Sequence, residues 1–129
     1  MEVPNELGSE ILGLFESVRK TGKIKKGVNE VTKAIERGQA KLVVYATDVN
    51  PPEIVMHLEP LCKEKNIPCV KFGTKAELGA VAGLEVGSSS IAIVDVGTEK
   101  SKFKEIVDKI KALSEDNNKV SEKQEEKKE

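Results

Sequence analysis

LVVYATDVNPPEIVMHLEPLCKEKNIPCVKF, residues 42–72, is the stretch whose reading decides the fold. Leu42–Ala46 is a continuous apolar, β-branched run, the composition of a strand buried on both faces. Asp48 caps the turn that follows, and Pro51-Pro52 opens a helix. Proline costs little there, because the N–H it lacks would be unpaired in a first turn. Ile54, Val55, Leu58, Leu61 and Cys62 are expected on the inward face of that helix, which Pro60 should kink or split. Asn66–Phe72 then reads as another strand.

Working outward, a helix over 28–37 carries Val28, Val31 and Ile35 inward and has Gly38 as its C-terminal cap candidate. Before it, Lys23–Lys26 around Ile24 reads as a brief strand, and 8–21 as an amphipathic helix on Ile11, Leu14 or Phe15, and Val18, stopped by Gly22. On the other side lie a short helix over 75–82 ending at Gly83, a strand over 90–96, and a helix over 102–113 on Phe103, Ile106, Val107 and Ile110. Helices alternating with strands predict an α/β fold, a three-layer α/β/α sandwich with a small mixed four-stranded sheet. A chain of 129 residues suits one such domain, placed at 1–113. The segment 114–129 holds six acids, four lysines and a single aliphatic residue, Val120. It buries too little to offset its ordering entropy and reads as a disordered or frayed helical tail.

Composition narrows the function. Aromatics make up 3% of the chain, too few for a sheet that stacks bases on its face. Met1–Gly8 carries two acids and a proline before any apolar run, so no secretory leader is expected, and no apolar stretch approaches the ~20 residues that span a bilayer. Cys62 and Cys69 lack a CxxC partner and read as small thiols in a reducing cytoplasm. No GxGxxG or P-loop occurs. His57, i,i+4 from Glu53, has no nucleophile or metal ligands patterned around it and reads as a structural or surface histidine. Ser88-Ser89-Ser90 lacks the flanking glycines of a nucleophile elbow and reads as a flexible loop entering a strand. No catalytic constellation, cofactor motif or metal site emerges.

Charge is distributed unevenly. Residues 19–41 hold eight Lys or Arg against Glu30 and Glu36, a local +6 in a chain of −1, which leaves −7 for the rest. One face is therefore suited to a polyanion. On the helix from Val28, Asn29 and Lys33 are i,i+4 and Glu30 and Lys33 i,i+3, so the three crowd one side of its first turns. Gly27 lets the backbone approach a ligand, and the helix N-terminus offers unpaired N–H groups to a phosphate. A carboxylate inside such a patch is counterproductive unless it accepts from something specific, such as a base amino group. The run divides into a phosphate-facing arm, Arg19–Lys26, and the readers Asn29, Glu30 and Lys33, with Arg37 a further cation. The plain alternative is a solvated helix with intrahelical charge pairs, in which Glu30 is an ordinary first-turn acid.

Gly27-Val28-Asn29-Glu30-Val31-Thr32-Lys33 followed by Gly38, the phrases at 46–68 and 74–79, and Gly83-Leu84-Glu85-Val86 together resemble the kink-turn RNA-binding ribosomal protein superfamily, over about residues 8–113. The resemblance implies an α/β/α sandwich that binds kink-turns, bent duplexes with a three-nucleotide bulge and tandem sheared G·A pairs. It implies that Asn29 and Glu30 contact the sheared guanines with help from Lys33, and that Ile54 and the loop Leu84-Glu85-Val86 enclose the flipped-out nucleotide. Lys26, Gly27 and Arg37 complete the implied RNA-binding set. Implied partners are rRNA, box C/D and H/ACA guide RNAs, RNase P RNA, and the other proteins of those particles, with a cytoplasmic location, no membrane, and a monomer when free. Gly87-Ser88-Ser89-Ser90 is small and polar where members vary, so a loose grip on the nucleotide is expected, and no function attaches to Glu59. Two alternatives remain: a structural ribosomal protein or protein-interaction adaptor whose basic patch touches rRNA phosphates by charge alone, and a small nucleotide-binding enzyme, disfavoured by the missing phosphate loop.

Overall fold

The computed structural model describes residues 3–125, with side chains as far as Leu113. The elements in order are α1 (Asn5–Thr21), β1 (Lys23–Lys26), α2 (Val28–Glu36), β2 (Leu42–Tyr45), α3 (Glu53–Met56), α4 (Leu58–Glu64), β3 (Cys69–Lys71), α5 (Lys75–Val81), β4 (Ser90–Asp95) and α6 (Lys100–Glu125). The strands form one mixed sheet in the order β1-β4-β2-β3. β4 is antiparallel to both β1 and β2, while β2 and β3 are parallel.

Strand alternation sends side chains to two helical layers. Leu42 and Val44 of β2 and Ile91 and Ile93 of β4 pack with Ile11, Leu14, Phe15 and Val18 of α1, Leu78 of α5, and Ile106 and Ile110 of α6. Val43 and Ala92 turn the other way, onto Val31, Ala34 and Ile35 of α2 and Val55, Leu58 and Cys62 of α3 and α4. The result is the α/β/α sandwich that the alternation of elements implies. α1 starts earlier than its clearest periodicity because Leu7 is buried and continues the inward stripe.

Three expectations need correction. The helix after Pro51-Pro52 is two short helices broken at His57. Pro60 lies in the first turn of α4, where its missing N–H removes no intrahelical bond, so the break falls before the proline. That break also leaves Ile54 40% exposed and not inward, whereas Leu61 is half-buried against the smaller core. The third strand is Cys69–Lys71 rather than 66–72. Ile67 N–H bonds the Cys62 carbonyl and Asn66 N–H that of Lys63, with Asn66 at φ 60, so these residues finish α4 before the strand begins. Val28 is only partly buried and belongs to a surface cleft. Of the tail at 114–129, the backbone is helical as far as Glu125 in continuation of α6; its side chains and residues 126–129 lie outside the described residues.

Candidate nucleic-acid interface

Gly27 sits at φ 89, ψ 150 immediately before α2, a conformation that is almost exclusively glycine's. Its N–H donates to the Ser90 carbonyl at 2.9 Å, which joins the start of α2 to the start of β4. A β-carbon there would meet nothing within 4 Å, so the backbone is open to an approaching group. No side chain caps this end of α2, which leaves its first N–H groups directed at solvent. The other end closes on Gly38 at φ 71, with Gln39 N–H on the Ala34 carbonyl and Gly38 N–H on that of Ile35.

A cleft of about 410 Å³ lies beside the first turns of α2, lined by Val28, Asn29, Thr32, Lys33, Ile54 and His57. The structure therefore brings Asn29, Lys33 and Ile54 together although twenty-one positions separate Lys33 from Ile54. His57, read as a structural or surface histidine, is exposed and also forms part of this wall. Its Nε2 is hydrogen-bonded to the Thr32 hydroxyl at 2.8 Å, which holds the α3–α4 break against α2. Glu30 is exposed on the same turn of α2 but is not part of the cleft wall. Arg37, the C-cap of α2, is a whole helix away from Gly27, about 15 Å at 1.5 Å per residue.

The basic arm does not act as one surface. Lys26 pairs in register with Ile91 at the α2 end of β1, whereas Lys23 stands opposite Asp95 at the far end. Arg19 lies against Gly83, whose absent β-carbon would be 2.7 Å from the guanidinium. Only the Lys26 end of Arg19–Lys26 adjoins Gly27 and the cleft.

The segment after α5 presents Val86, which is 72% exposed, and Glu85, while Leu84 is half-buried against the larger core. The small polar residues that follow are not a loose loop. Ser88 and Ser90 are 5% and 0% exposed. Leu84 N–H bonds the Gly79 carbonyl at 2.8 Å and Ser88 N–H that of Lys75 at 3.0 Å, so the segment folds back along α5. A β-carbon on Gly79 would overlap the Val86 carbonyl, and one on Gly87 would crowd the Lys75 Cβ at 3.1 Å. These residues are small because the segment lies flat on a helix, which is the opposite of the flexibility that their composition implied.

Two further ties are absent from the sequence reading. Asp48 Oδ1 accepts from Lys75 N–H at 2.8 Å, so it fastens the 47–52 connection to the first turn of α5 and does more than cap its own turn. The Tyr45 hydroxyl donates to Glu59 Oε2 at 2.6 Å, which gives Glu59 a role in holding α4 to β2. Cys62 and Cys69 are free cysteines whose thiols are hydrogen-bonded to one another. That bond, with burial, pushes the Cys69 thiol far above its ordinary range and keeps it protonated. Among the described residues, no group of three or more His, Cys, Asp and Glu stands close enough to hold a metal ion, and no helix is long and apolar enough to cross a membrane.

A family model described as the Ribosomal protein L7Ae/L30e/S12e/Gadd45 family matches residues 9–103. Among solved structures, the chain is similar to a Giardia lamblia 15.5kD RNA binding protein, with 35% sequence identity and a TM-score of 0.79. The match covers 86% of this chain and 92% of that one.

Proposed function

The chain belongs to the ribosomal protein L7Ae/L30e/S12e/Gadd45 family, and from that premise we propose that it is an RNA-binding protein whose target is the kink-turn. The observation that carries the proposal is the cleft in which Asn29 and Lys33 face Ile54 at the uncapped N-terminus of α2. Asn29 can donate and accept, Lys33 donates, and Glu30 accepts from a base amino group. Lys26 and the free N–H groups beside Gly27 suit the flanking phosphates. Ile54, with Leu84 and Val86, supplies an apolar cover for an unstacked base, Glu85 completes the enclosing segment, and Arg37 reaches only the more distant backbone. Sheared G·A pairs present edges that a regular A-form helix hides, so such a site reads shape and sequence together.

The protein would act by binding the kinked RNA better than the extended one, which shifts an equilibrium and needs no catalytic residue. Moving that equilibrium from 1:99 to 99:1 takes about 5.5 kcal/mol of differential affinity, and contacts present only in the kink must supply it. We place it, as a cytoplasmic protein and a monomer when free, in the large ribosomal subunit and in box C/D, box H/ACA and RNase P particles. There it would nucleate assembly, as in the archaeal multifunctional member that it resembles. Residues 1–113 form the binding domain in this reading and 114–129 a charged extension.

Glu30 separates base reading from bulk attraction. Glu30→Ala makes the patch more positive, so charge alone would tighten binding. The proposal instead predicts a roughly tenfold or greater loss for a kink-turn RNA, within the ~1–3 kcal/mol of a good base contact, and no loss for a straight duplex. Tighter binding to both RNAs in a filter-binding titration would restore the electrostatic alternative.

A further inference from the structure

One chain of hydrogen bonds runs from the buried start of β4 to the exposed first turn of α5. The Ser90 carbonyl accepts from Gly27 N–H at 2.9 Å and from the Ser88 hydroxyl at 2.8 Å. Ser88 N–H donates to the Lys75 carbonyl at 3.0 Å, and Lys75 N–H to Asp48 Oδ1 at 2.8 Å. The start of α2, the 84–87 segment and the 47–52 connection are three separate stretches of sequence, and this chain ties all three together. Ser88 stands in its middle and is 5% exposed. Its hydroxyl bonds the same Ser90 carbonyl that anchors Gly27, and its N–H bonds α5 just after the segment carrying Val86. The neighbouring Ser90 hydroxyl is fully buried and bonds nothing among the described residues, so the run is not simply a set of satisfied serines.

We infer that Ser88 is a positioning residue for RNA recognition: its hydroxyl fixes the Leu84–Val86 segment relative to α2, so that the apolar cover and the base readers meet one RNA together. The inference rests on the kink-turn reading. Without the Ser88 hydroxyl, Gly27 keeps its bond to Ser90, so α2 and its readers stay in place. What is lost is the bond that fixes the conformation of the short Ser88–Ser90 link between that anchor and the segment. The cost should therefore fall on the unstacked nucleotide and not on the G·A pairs. Alanine fills nearly the same space as serine, so the variant retains the packing of the segment on α5.

The test uses the full chain, wild type and Ser88→Ala, in gel shifts with two RNAs. One is a kink-turn, and the other is the same RNA with an abasic ribose at the flipped-out position. Ser88→Ala should weaken binding to the intact kink-turn about fivefold, the scale of one lost buried hydrogen bond, and to the abasic RNA by less than about twofold. A purely structural role for Ser88 would lower both affinities by the same factor. Equal losses on the two RNAs, or none on the intact one, overturn the inference. Failure of the kink-turn reading shows separately, as wild-type protein that binds equally when the G·A pairs are replaced by G·C.

Discussion

Gly27 fixes where the reading helix begins, and its geometry explains why no other residue serves. At φ 89, ψ 150 any side chain is strained, although the space around it is empty. Gly27→Ala should cost about 1–3 kcal/mol in urea unfolding and should weaken RNA binding by more than the stability loss explains, because the relaxed backbone would swing Asn29 away from Ile54. Unchanged stability would mean that the strain is absorbed locally. Asn29 and Lys33 were legible as neighbours because an i,i+4 spacing on a helix leaves little choice. Ile54 was legible only through the family resemblance. By pattern it reads as core, since Ile54 and Val55 are adjacent and apolar, and a helix of four residues is too short for periodicity to say which one faces in. His57 could not have been found from pattern, because its place in the cleft depends on the break between α3 and α4.

Among the elements, α5 does most to shape the site without facing RNA. Thr74 and Glu77 form a reciprocal capping box at its start, and Asp48 takes a further first-turn N–H. The 84–88 segment is then laid back along it through Leu84 and Ser88. Thr74→Ala should cost about 1 kcal/mol in denaturant unfolding and raise hydrogen exchange at Leu84 and Ser88 together, since both amides bond α5 carbonyls. Faster exchange at one of them alone would contradict a single supporting helix. Composition misled here because glycine and serine mark both mobile loops and close packing, and only the backbone contacts tell them apart. The shortened β3 has a similar origin: IPCV is a continuous apolar run like a buried strand, but Asn66 and Ile67 already serve the end of α4.

At the scale of the molecule, alternating apolar elements made the sandwich legible, because the apolar strands β2 and β4 must bury both faces between helical layers. The uneven charge was equally legible, but its division was not. β1 carries Lys23 and Lys26 to opposite ends of its pairing with β4, so much of the +6 run attracts RNA without touching the site. Attraction of that kind treats all RNA alike and weakens with salt. The recognition proposed for Asn29, Glu30, Lys33 and Ile54 would not treat all RNA alike, and a gel shift separates the two. Wild-type protein is titrated against a kink-turn RNA and against the same RNA with its tandem G·A pairs replaced by G·C, at about 0.15 M salt. Selective kink binding predicts at least a hundredfold preference for the G·A form, the effect of losing about 3 kcal/mol of base contacts. Equal affinity for the two RNAs would contradict it.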